Sequence, residues 1–248
     1  MINNYIKADI WRVSRRIPRI IFILIANIIF ALVIVKASNG DSWNSVFFME
    51  KMLGGFSVIA TICSIVEFVS VFSTDFAAKT MQIAIGGGMK RRHVILTKWL
   101  DCLFLAMSDF LFACIVGLIM GGITGVHINA EQGLDILINF LGESLKAGGY
   151  YSLAMIAVFY MQSVMIPLLV YICLSIDIFY YILKYLFSLG PIRQWNLQKY
   201  LFTEASELFE SRLVVGTFDF KAFLLVIIYM AIGYIVSSLL FKKKELEF

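Results

Sequence analysis

The sequence predicts an all-α polytopic membrane protein. Three observations carry that prediction. Hydrophobic residues make up 60% of the chain and charged residues 15%, with a mean hydropathy of +0.87, whereas a soluble domain carries about 25% charged residues. The apolar residues fall in long runs that suit the roughly 20-residue helix a bilayer core requires. The basic residues gather in a few short segments between those runs. The net charge of +4 is confined to these segments, which argues against nucleic acid as a partner.

The N-terminal stretch 2–16 alternates apolar positions with Lys7, Arg12, Arg15 and Arg16. This pattern predicts an interfacial helix, with the cations toward lipid headgroups and Trp11 at the boundary. Pro18 suits the first turn of the next helix. Six spans are predicted, over 17–35, 53–73, 99–125, 149–162, 164–186 and 222–241. The turn signal Asn39-Gly40-Asp41 separates the first two. Residues 126–147 have an apolar stripe at helical spacing and are read as a surface helix on the outer leaflet. The apolar stretch 148–189 is too long for one span and is divided near Gln162-Ser163. The polar, partly apolar segment 190–221 precedes the last span.

Lys and Arg crowd the N-terminal stretch, the segment 74–98 and the C-terminal tail Lys242-Lys243-Lys244. The positive-inside rule then places both termini and segment 74–98 in the cytoplasm, which requires an even number of spans. One segment resists this rule, because 190–221 carries cations yet would lie outside. A five-span chain would instead put the final lysines outside.

Four cysteines (Cys63, Cys102, Cys114, Cys173) lie in apolar runs without a paired spacing, and His93 and His127 are far apart. No metal or disulfide framework is predicted, and no catalytic residue is assigned. Segment 74–98 has glycines but lacks the spacing and closing Ser/Thr of a phosphate-binding loop. The acids Glu67, Asp109 and Asp177 fall within predicted spans, and Asp101 falls near a span end. They suit either a polar lining for a substrate path or a packing role near an interface. Gly117, Gly121 and Gly125, spaced by four, suit a helix-packing face, or simply a loosened span end.

The segment 74–98 presents an acid, a Lys-Thr pair, glycines, an Arg and a Lys ahead of the third span: Asp75, Lys79, Thr80, Gly86, Gly87, Gly88, Arg91 or Arg92, and Lys98. With the order of parts around it, the chain resembles the membrane subunit of ABC-2 type bacterial ABC transporters. The resemblance implies one transmembrane domain over 1–248 in the bacterial cytoplasmic (inner) membrane. It implies that 74–98 holds a coupling helix docked in a separate cytoplasmic ATPase subunit. That partner, not this chain, would bind ATP and Mg and carry the enzymatic activity; no cofactor is expected here. It implies a second membrane subunit, as a homodimer or a similar heteromer, and a peptide or amphipathic substrate that is exported or removed, as in bacteriocin or lantibiotic immunity. Segment 190–221 would be an extracellular re-entrant element. Lys79 stands where many relatives have a glycine, which leaves the substrate subgroup open. Two readings from other classes stand beside this one: an ATP-independent channel or secondary carrier, and a membrane immunity protein that sequesters a peptide without transport.

Overall fold

The computed structural model describes residues 2–39, 43–189, 193 and 195–243. Gly40, Asp41, Gly190, Pro191 and the tail from Lys244 lie outside the described residues, and with them parts of the first turn signal, the pre-span segment and the basic tail. The described residues are helical, with no strand among them: α1 (Ile2–Ser14), α2 (Ile17–Ser38), α3 (Ser45–Ala78), α4 (Thr80–Gly86), α5 (Arg91–Ile123), α6 (Ala130–Met161), α7 (Met165–Ser175), α8 (Ile178–Ser188), α9 (Phe202–Val214) and α10 (Phe220–Lys243). A 3-10 turn over Leu197–Tyr200 leads into α9.

Among the described residues, four helices are long and apolar enough to cross a membrane: α2, α3, α5 and α10. A fifth crossing is made if α7 and α8, bent by 61° at their junction, count as one broken span. The chain is a multi-pass membrane protein. Its outward surface is consistent with lipid as the solvent. Ile21, Phe22, Ile25, Ile28, Ile29 and Leu32 all stand exposed on α2, and the buried side of that helix packs against α3 and α5.

The largest departure from the expected boundaries is α6. The surface helix over 126–147 and the short span 149–162 are one 32-residue helix. Asn129 caps its start in a reciprocal capping box with Gln132, and no proline interrupts the run from there to Gln162. The helix ends where expected, at Gln162 in the left-handed conformation (φ 50°), and Pro167 falls inside the first turn of α7. The fifth span is not one rod over 164–186. It breaks at Ile176-Asp177, with Asp177 in the left-handed region (φ 58°).

Helices α3 and α5 also exceed the expected spans 53–73 and 99–125, with 34 and 33 residues. At 1.5 Å per residue each is about 50 Å long, against a core of about 30 Å. Both therefore project beyond the bilayer, and segment 74–98 is three things: the end of α3, the separate α4, and the start of α5. Lys79 makes the break, in the left-handed conformation (φ 52°), and Gly88 (φ 91°) makes the turn into α5.

Small residues set the close approaches. Gly117 faces Met52 and Gly121 faces Phe48, so this stripe seats α5 on α3 within the chain. Gly125 does not share the face; it ends the helix at φ 75° with open space around it. Gly233 of α10 lies against Ser152 of α6, where an added Cβ would come within 2.6 Å of a backbone oxygen. Backbone cannot step aside as a side-chain tip can. Gly233→Ala should therefore push α10 off α6 and cost about 1–3 kcal/mol. Gly122→Ala, with nothing within 4 Å of the new methyl, should be neutral or stabilising by up to about 1 kcal/mol. Unfolding midpoints of the two variants in the same detergent check the contrast.

Candidate functional site

Buried and half-buried polar side chains group in three tiers along the bundle. The first lies below α4, where α3 and α5 project. Lys98 is wholly buried and forms ion pairs with Asp9 of α1 and with Asp75 of α3, the latter at 2.6 Å. Arg12 joins the same acids, at 2.6 Å to Asp9 and 2.8 Å to Asp75. The Thr80 hydroxyl donates to Asp75 Oδ1, which ties the start of α4 to the cluster. Asp101, one turn along α5, lies 3.9 Å from Lys98, and among the described residues neither of its carboxylate oxygens has a hydrogen-bond donor. Lys98 also stands over the Tyr5 ring at 5.0 Å. Burial pushes the Tyr5 phenol up, with the Lys98 charge opposing. Four elements (α1, α3, α4 and α5) thus meet on two cations.

The second tier lies within the membrane-facing part of the bundle. Glu67 is set back from Asp75 by about 12 Å of helix rise, and Asp109 from Lys98 by about 16 Å. Between them stands Arg19, in the first turn of α2. Its Nε donates to Glu67 Oε1 at 2.5 Å and its Nη2 to Asp109 Oδ1 at 2.8 Å. All three side chains are buried. Arg19, counted in sequence among the cations before the first span, thus joins two of the acids singled out within the spans.

The third tier is Asp177, at the break between α7 and α8. Its Oδ1 accepts from the Tyr150 hydroxyl at 2.7 Å and the Thr203 hydroxyl at 3.1 Å, and its Oδ2 from Lys146 at 3.4 Å. A left-handed backbone at a non-glycine residue is costly without compensation. Here the carboxylate binds α6 and the head of α9 to the bend. Thr203 belongs to the segment 190–221, so that segment enters the bundle. Phe202, Ala205 and Phe209 bury its apolar side against α6 and α10.

The remaining sequence-predicted residues divide between surface and interior. Lys7 and Trp11 are exposed on α1 and Arg15 just past its end, with the Arg15 guanidinium over the Trp11 ring at 4.3 Å. Arg16 is half-buried and reaches the Ser73 hydroxyl at 3.5 Å. Lys79, Gly86, Gly87, Gly88 and Arg92 are exposed, and Thr80 is half-buried. Arg91 turns toward α10, where Nη1 donates to the Phe241 carbonyl at 2.5 Å and the guanidinium stands 5.3 Å from the Phe241 ring centroid. Asp75, Arg12 and Lys98 face inward, so they hold α4 in place and do not themselves present a docking surface. The group missed from the sequence is Ile83, which stands 69% exposed on α4 while Met81 and Met89 bury the other side. The signal was present: Ile83 stands two residues from Met81, on the opposite side of a short helix.

No cluster of three or more His, Cys, Asp or Glu side chains suited to a metal occurs among the described residues. Comparison with models of known protein families finds none that matches the chain, and comparison with curated proteins finds no match.

Proposed function

We propose that the chain is the membrane subunit of an ATP-driven exporter, and that α4 receives the force of a separate cytoplasmic ATPase. The observation that supports this most is mechanical. A seven-residue helix stands at the end of two helices that outreach the bilayer, with an exposed apolar tip at Ile83 and exposed Lys79, Lys90 and Arg92 about it. Its base is fixed by buried charges to α1, α3 and α5. A push on such a stub is transmitted to the spans and not absorbed in a loop. In this reading α6 is a fourth span and α7–α8 a broken fifth, giving six in all. Helix α1 lies at the inner surface of a bacterial cytoplasmic membrane, both termini are cytoplasmic, and α9 is a re-entrant element on the outer side. A second membrane subunit completes the path for a peptide or amphipathic substrate.

A second reading is favoured by one observation. Glu67 and Asp109 face each other from α3 and α5, as an ATP-independent carrier would require. Arg19 between them is a fixed counter-ion, which suits a structural junction better than an empty ion site.

The test is affinity purification from the native host with ATP hydrolysis assayed in the eluate. The wild-type chain should bring down an ATPase. Ile83→Asp should lose most of it, a change of about tenfold for an apolar anchor worth about 1.4 kcal/mol, while its expression in the membrane is unchanged. Substrate movement by the purified chain in vesicles without any ATPase would sink the reading and leave the carrier.

A further inference from the structure

Three buried acids meet two cations at the base of α4, so one carboxyl is left over. Asp9 and Asp75 are each paired with both Arg12 and Lys98. Asp75 also accepts from the Thr80 hydroxyl. The carboxyl left over is Asp101. It is 0% exposed, Lys98 comes no nearer than 3.9 Å, and neither of its oxygens has a hydrogen-bond donor among the described residues. An ionised carboxyl in such a place is costly, and a group so buried is neutralised instead.

The neighbours say what neutralises it. Asp101 lies against Asp9 of α1. Two carboxyls in contact form a hydrogen bond only when one of them holds a proton. Asp9 already accepts from two cations and has lone pairs to spare, so Asp101 is the donor. Tyr5 of α1 and Cys102 of α5 also face the cluster, but a phenol and a thiol bring no charge at neutral pH. Helix α4 has no charged residue. The other helices packed on α5 turn their charges elsewhere. Arg19 of α2 bonds Glu67 and Asp109, and Glu143 and Lys146 of α6 bond Ser57 and Asp177. Helix α10 has charged residues only at its ends, Lys221, Lys242 and Lys243. The acids do not converge as a metal ion would require, since no such group of three occurs among the described residues. Arg12, 28% exposed, joins the cluster to water.

We propose that Asp101 binds one proton and donates it to Asp9, which seals α1 onto α5 in the protonated state and frees α1 as pH rises. The proton comes from water at that end of the bundle and returns there. The sealed cluster binds one more proton than the open one, so its stability falls with rising pH above the ordinary aspartate value of about 3.9.

The experiment is infrared spectroscopy of the full-length chain in detergent, followed against pH, with Asp101→Asn as the reference. Asparagine donates a hydrogen bond as the acid does but cannot ionise. At about pH 6, well above the ordinary aspartate value, the wild type should show a carboxylic-acid carbonyl band that the variant lacks, and the band should fade as pH rises. Amide exchange over α1, Ile2–Ser14, is the second measurement. Taking wild type relative to Asp101→Asn at the same pH cancels the pH dependence of exchange itself. That ratio should climb by up to about tenfold per pH unit until Asp101 ionises in place. No difference band at about pH 6, or a ratio that stays constant with pH, overturns the proposal. Asp101→Ser, which has no carboxyl at this position, is the reference if Asp101→Asn does not fold. No ATPase takes part, so failure here leaves the transport reading standing, and failure of that reading leaves this one.

Discussion

Arg19→Met should be the most damaging single substitution in the membrane-facing part of the bundle, at about 3–5 kcal/mol. The guanidinium is the cation bonded to both Glu67 and Asp109, all three groups are buried, and the three lie on α2, α3 and α5. Methionine keeps the length and apolar bulk of the side chain but withdraws both hydrogen bonds. Two carboxylates then face each other without a counter-ion, and α2 loses the ion pairs that tie it to α3 and α5. The remaining hold on α2 is apolar contact by Ile23, Ala26, Phe30 and Ile34, and lipid offers those side chains nearly as good an environment. Unfolding in mixed micelles should therefore show an early loss of α2, read by protease access at the start of that helix. A midpoint within error of wild type would show that the junction carries no stability.

A companion variant separates structure from function. Removing all three charges together, as Arg19→Met with Glu67→Gln and Asp109→Asn, leaves no unpaired ion. Replacing a buried ion cluster by uncharged groups is often neutral or stabilising. That variant should recover most of the stability lost in Arg19→Met. If it then fails to transport, the charges are retained for their part in moving α2, not for holding it.

Much of this fold was legible because the bilayer leaves few choices. A chain whose apolar runs approach 20 residues must bury its backbone hydrogen bonds in helices, although α3, α5 and α6 extend past the ends of those runs. The sequence could not show that α6 would absorb the amphipathic stretch before it. Glu143 and Lys146 suggest a polar surface helix, yet Glu143 accepts from Ser57 of α3, and Lys146 reaches Asp177 of α7–α8. Partners from distant helices remove the polarity that the local pattern displays. The same holds for Arg19. Counted with Arg15 and Arg16 it is one more inside cation. Only the helix packing turns it toward Glu67 and Asp109 and leaves Arg15 on the surface. The basic segment was found for its composition, but its division of labour is tertiary. Lys98 and Arg91 look inward, Lys79, Lys90 and Arg92 outward, and the most exposed large apolar group is Ile83. Spacing alone cannot divide a cationic run in this way, since helical neighbours of equal charge can take either side.

Lys98→Met should uncouple α4 from the bundle while leaving the chain inserted. The lysine carries ion pairs to two helices, and its side chain is wholly buried. Without it, Asp9, Asp75 and Asp101 are left with Arg12, which is itself 28% exposed and less able to serve a buried site. Loss of one partner from such a cluster costs about 3–5 kcal/mol. Here the loss falls on a local contact, because α2, α6 and α10 have no part in it. The expected result is local opening: faster amide exchange over 80–90, a new protease site near Lys79, and spans protected as in wild type. Lys98→Arg should not rescue it, since a planar guanidinium needs more room than a site that encloses the ammonium completely. In the transport reading the same variant should still bind the ATPase through Ile83 but no longer link hydrolysis to substrate. A stub with a loose base can be pushed without moving α3 or α5. Loss of binding along with coupling would mean that the cluster shapes the docking surface itself. Normal coupling with an opened α4 would mean that force enters the membrane subunit elsewhere, and α1, whose Asp9 and Arg12 meet the same acids and lysine, would be the next place to look.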